Sequence, residues 1–114
     1  MYKRIGQEIV MKDQLLKLAR EIISLCDQIL QDGTSPNTEV IKLIKREFEE
    51  QCDSLIKENK VKVLNNKYEL WAVRTIYDSA IFEHDQNIFQ KVLEFAAICK
   101  HLKKSEVTIM HANG

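Results

Sequence analysis

The chain has 114 residues, 45% of them hydrophobic and 30% charged, with 17 Lys and Arg against 17 Asp and Glu. Such a composition excludes a disordered segment and describes one globular domain, residues 1–114, with its own core. Zero net charge lacks the basic surplus with which nucleic-acid binders meet phosphates, and no stretch approaches the roughly 20 apolar residues of a membrane span.

From Met11 the apolar positions run Leu15, Leu18, Ile22, Leu25 and Ile29, in steps of three and four, widened by Leu16, Ile23 and Leu30 on one flank and Ala19 and Cys26 on the other. This predicts a first helix over 8–32 with a broad buried face. The residues before Met11 are expected to fray, and charge breaks "MYKRIGQEIVMKDQLLKLAR" too often for a secretory leader. Gly33 ends the helix, and Ser35 and Pro36 begin the next as N-cap and first-turn proline.

The second helix, 36–59, buries Ile41, Ile44, Phe48, Cys52 and Leu55. Its charge run reads as a solvated face in which Lys45 and Glu49, Arg46 and Glu50, and Asp53 and Lys57 pair at i,i+4. In "NKVKVLNN", Val61, Lys62 and Val63 alternate like a short strand, and "VTIM" near the end offers a partner. An isolated pair is marginal, however, and the segments are read as a loop and an irregular tail. Asn66 to Glu69 imitates a capping box for a third helix over 66–84. Asp85 caps a fourth over 86–104, with Ile88, Val92, Phe95, Cys99 and Leu102 on its stripe. After Lys104 the helical period is lost. The expected fold is therefore all-α: an antiparallel up-down four-helix bundle with a short irregular tail, 105–114.

The third helix is the unusual one. "YELWAVRTIYDSAIFEHD", Tyr68 to Asp85, holds the single Trp. On a wheel of about 100° per residue, Leu70, Val73, Ile76, Tyr77, Ala80, Ile81 and His84 form a core face. Trp71 and Phe82 lie together on the opposite side, with Arg74, Asp78 and Asp85 around them. A helix apolar on two sides is either covered twice within its own fold or offers one side to a partner. In the first case Val61, Val63 and Leu64 cover Trp71. In the second, Trp71, Phe82, Arg74, Asp78 and Asp85 form a partner-binding surface, Trp being frequent at binding hot spots.

Catalytic and metal-binding patterns are missing. Cys99 and His101 lie about 200° apart on a helix and cannot chelate together. There is no Gly-rich phosphate loop, GxSxG or HExxH, and no Glu stands three before any His, as di-iron bundles require. Arg74 and His84 stand too far apart for the Arg-His pair of HEPN-class ribonucleases. No catalytic role, metal or cofactor is expected. Three cysteines without a CxxC argue for a reducing compartment, hence the cytoplasm, and their stripe positions predict buried, unreactive thiols. The expected function is a non-enzymatic interaction module, an adaptor, inhibitor or regulator acting through the third helix; the alternative is a self-associating homodimer. Richness in Lys, Ile and Asn suits an AT-rich bacterial gene. In size, four helices and irregular tail, the chain resembles the bacteriocin immunity proteins. The likeness is architectural, without a shared motif, and implies a partner-recognising tail over Ser105 to Gly114.

Overall fold

The computed structural model describes residues 2–77 and 85–110, with side chains from residue 11 onward. Among these residues the order is α1 (Tyr2–Asp32), α2 (Thr38–Glu58), β1 (Val61–Val63), α3 (Trp71–Tyr77), α4 (Gln86–Cys99), a 3-10 turn (Lys104–Glu106) and β2 (Val107–Ile109). The chain is predominantly helical: α1 packs on α2 and α4, α2 on α3, and α3 on α4.

The apolar stripes become the core. Leu15, Leu18, Ala19, Ile22 and Cys26 of α1 meet Ile41, Ile44, Phe48 and Leu55 of α2 and Ile88, Val92, Phe95 and Cys99 of α4. Leu25 and Ile29 are only half-buried, so the α1 face is centred on the Ala19 and Cys26 flank. At the centre Phe48 and Phe95 stack edge to face, ring centroids 5.0 Å apart at 89°, a favoured aromatic geometry. The first helix begins at Tyr2, not near residue 8, so its N-terminal residues continue the helix.

The loop after α1 turns on Gly33 at φ +73°, and α2 starts at Thr38, two residues later than the Pro36 position suggested. Ser35 nevertheless behaves like a cap, its Oγ accepting the Asn37 N–H at 3.0 Å. Two residues of the anticipated i,i+4 pairs on α2 instead meet partners on other elements. Lys45 reaches Asp27 of α1 at 2.6 Å, and Glu50 lies 3.8 Å from Lys62 of β1. A long side chain beside another element finds a carboxylate there as easily as on its own helix.

Two expectations are corrected by the sheet. Val61–Val63 and Val107–Ile109 pair in parallel, Val61 opposite Val107, and the Met110 N–H donates to the Val63 carbonyl at 2.7 Å. The tail thus forms the 3-10 turn and this strand and is not irregular from Ser105. Its connection passes through α3 and α4, the long crossover that a parallel pair needs. The pair is sustained from both sides. The Gln51 carboxamide accepts the Lys62 N–H and donates to the Lys62 carbonyl, both at 2.8 Å, standing in for a neighbouring strand. Buried Glu106 accepts the Lys103 N–H at 2.7 Å and lies 3.8 Å from Lys12 of α1, tying the tail to the bundle.

The third helix also starts later than the capping-box pattern implies. Asn65, not Asn66, organises the turn: its Oδ1 accepts the Lys67 N–H at 2.8 Å, and its Nδ2 donates to Glu69 at 3.0 Å. Leu64 N–H then pairs with the Glu69 carbonyl at 2.8 Å, and Tyr68 takes φ +61°. This closed loop consumes residues 64–70, and α3 begins at Trp71. The expected helix over 78–84 lies outside the described residues.

The thiols sit in apolar settings, with one correction. Cys26 and Cys99 are buried and burial pushes each up to about 12, whereas Cys52 is half-buried and raised less decisively, again by burial first. Since the thiolate is the reactive form, a thiol reagent should label Cys52 in the native protein well before Cys26 or Cys99. Labelling of all three at one rate would contradict this.

Candidate functional site

The short helix α3 lies between two grooves. It buries Ala72 and Ile76 rather than Val73 and Tyr77, so its core face is rotated by about one residue from the wheel reading. Tyr77 stands 62% exposed, its ring edge to face with Phe89 of α4 at 6.1 Å. On the α4 side a groove of about 770 Å³ runs past Tyr68, Val73, Arg74, Tyr77, Leu93 and Ala96.

On the α2 side a smaller groove of about 240 Å³ is lined by Leu43, Arg46, Glu47, Glu50 and Gln51 of α2, Lys62 and Leu64, Trp71 of α3, and Met110 after β2. Three large apolar side chains stand open here: Leu43 at 40% exposure, Trp71 at 46% and Met110 at 52%. Their positions follow from the parallel pair, which brings Met110 alongside β1, and from the closed loop, which delivers Trp71 at the first residue of α3. The Gln51 side chain, fully engaged with Lys62, belongs to the inner wall.

Glu47 is the unusual group in this wall. Burial pushes its carboxyl up to about 7, a rise that the backbone N–H groups of Ala72 and Trp71 only partly offset and that nearby Glu50 adds to. One of its oxygens, Oε1, is buried and has no hydrogen-bond partner. Buried polar atoms are almost always paired, so an orphan acceptor beside an open groove is uncommon.

Of the five residues expected to make one partner surface, the three that are described, Trp71, Arg74 and Asp85, stand in different places. Trp71 lines the α2-side groove. Arg74 lines the other groove and pairs with Glu69 at 2.6 Å, and Asn65 and then Arg74 hold the Glu69 carboxyl below its ordinary value. Asp85 is drawn inward: buried, its Oδ2 accepts from Ser35 Oγ at 2.8 Å and Asn37 Nδ2 at 3.2 Å, tying the start of α4 to the α1–α2 loop. Asp78 and Phe82 lie outside the described residues. Val61 and Val63 are buried in the core; of the three residues weighed as a cover for Trp71, only Leu64 shares its groove.

Reading the α2 charge run as purely solvated missed Leu43, Glu47 and Gln51. Their spacing was a usable signal, since residues at i, i+4 and i+8 share one helix face. Among the described residues no cluster of His, Cys, Asp or Glu is placed to hold a metal, and no helix is long and apolar enough to cross a membrane. No family model matches the chain, and neither a curated protein nor a solved structure matches it.

Proposed function

We propose that the protein is a non-enzymatic interaction module, an adaptor, inhibitor or regulator of the cytoplasm, which binds a protein partner through the groove beside Trp71. In this reading the four helices run up and down as an antiparallel bundle, and α3 is the element that presents the contact. The supporting observation is convergence: Leu43, Trp71 and Met110, from three separate parts of the chain, stand exposed around one groove. Such a cluster with a charged rim has the composition of an interface centre, where a few large side chains carry most of the binding energy.

Trp71→Ala tests this directly. Association with partner or self should weaken by about 2 kcal/mol or more. Folding stability should change by about 1 kcal/mol at most, because roughly half of the residue is already open. Affinity capture from native lysate, beside light scattering of purified protein, reads the first quantity, and a thermal melt reads the second. A stoichiometric foreign partner lost in the variant supports the module. A dimer lost in the variant, with no foreign partner, replaces it with self-association. Unchanged association with a large drop in melting temperature would make Trp71 a core residue and sink the reading.

A further inference from the structure

The groove beside Trp71 contains an apolar wall and an unsatisfied acceptor together. Leu43, Leu64 and Met110 supply the wall, and Glu47 Oε1 is the acceptor. We infer that the groove takes a basic side chain, an Arg or Lys on a segment of the partner protein, with its aliphatic stem along Leu43, Leu64 and Met110 and its charged head between the Trp71 indole and the Glu47 carboxylate. This rests on the groove's being the partner-binding surface and adds the chemistry of what enters it.

Of the two carboxylates lining the groove, Glu47 is the one that no described cation meets. Lys62 lies against Glu50 at 3.8 Å, and its backbone is held by Gln51. Arg46 adjoins Glu47 on α2, and successive residues of a helix point about 100° apart; Arg46 is exposed at the rim. From α3 only the neutral backbone N–H groups of Trp71 and Ala72 face the carboxylate, and from α4 the neutral thiol of Cys99 lies in its field. No described cation meets Oε1. A buried acceptor with one oxygen unpaired costs free energy until a donor reaches it, and a charged donor recovers the most. The indole adds a second attraction, since Trp has the strongest ring face for a cation. The volume, about 240 Å³, suits one long side chain rather than a helix. An unbranched side chain with its charge at the tip also matches the layout, apolar stem outside and carboxylate inside.

The orphan oxygen is buried, and its residue lines the same groove as the indole. Trp71 is the single Trp of the chain, and its fluorescence therefore reports entry. The probe is an acetylated, amidated tripeptide of leucine, arginine and leucine, titrated into the millimolar range against the full chain, beside the same peptide with uncharged citrulline for arginine. The arginine peptide should give a saturable change in Trp71 emission, at least tenfold tighter than the citrulline peptide. That difference should vanish in Glu47→Gln, whose melting temperature should be no lower than that of the wild type. Binding should be stronger at pH 8 than at pH 6, because only the ionised carboxylate attracts the cation. Equal binding of the two peptides would overturn the basic side chain while leaving the groove as an interaction surface. No emission change with either peptide overturns the proposal too, and the Trp71→Ala association measurement then decides the broader reading separately. If Glu47→Gln melts lower, Glu47→Ala and the pH dependence of the wild-type titration carry the same comparison, and a pH-independent affinity overturns the proposal.

Discussion

Replacing Glu47 by Gln is expected to remove a loss of up to about 3 kcal/mol that the wild-type protein suffers as pH rises from about 4.5 to about 7. The sign follows from the direction of the shift. In the unfolded chain the carboxyl titrates near its ordinary 4.5, whereas in the fold burial holds the proton until about 7. Between these values the native state binds more protons than the unfolded state, so stability falls with rising pH, and above the upper value the loss is complete. The groups facing Glu47 do not reverse this: the Ala72 and Trp71 N–H groups soften the rise, and Glu50 reinforces it. Gln keeps an acceptor for those N–H groups and carries no charge. Its melting temperature should be nearly flat across the window where the wild type declines, apart from other titrating groups common to both proteins. Parallel pH profiles for the two would show that Glu47 ionises freely and would remove the electrostatic basis of the groove.

Gln51→Leu should destabilise the fold by about 2 kcal/mol and release the Lys62 amide to hydrogen exchange. The side chain of Gln51 is nearly inaccessible, and both ends of its carboxamide are committed to the Lys62 backbone. Leu has similar bulk and no polar atoms, leaving one N–H and one carbonyl of β1 without partners. The consequence reaches the candidate site, since β1 holds β2, and β2 places Met110 at the groove. Weakened association should therefore accompany the loss of stability, in contrast to Trp71→Ala, where binding falls and stability barely moves. A protected Lys62 amide in the variant would mean that β1 holds without Gln51.

The candidate site also holds features that make folding less favourable than it could be. A carboxyl that burial pushes up to about 7 and three large apolar side chains open to water are local costs, and natural chains concentrate such costs where a site needs them.

The predominantly helical class, the stripes on α1, α2 and α4, and the placing of Cys26 and Cys99 in the core could all be read from the chain. Each depends on the period of one helix, a local property that appears wherever one face is buried. The cap at Asp85 was legible by position, but its chemistry was not. A carboxylate at a helix start looks the same whether it faces water or, as here, Ser35 and Asn37 of a distant loop. Strands of three residues carry too little alternation to name a partner, so the parallel pairing of β1 with β2 became visible only once α3 and α4 had carried the chain back. The rotation of α3 likewise depended on where the loop of residues 64–70 closed, which shifted the helix start and with it the buried face. The groove itself, with Leu43, Leu64, Trp71 and Met110 around Glu47, was decided by tertiary structure alone. Its residues come from four separate stretches, and periodicity within a stretch carries no information about which other stretch will be packed beside it.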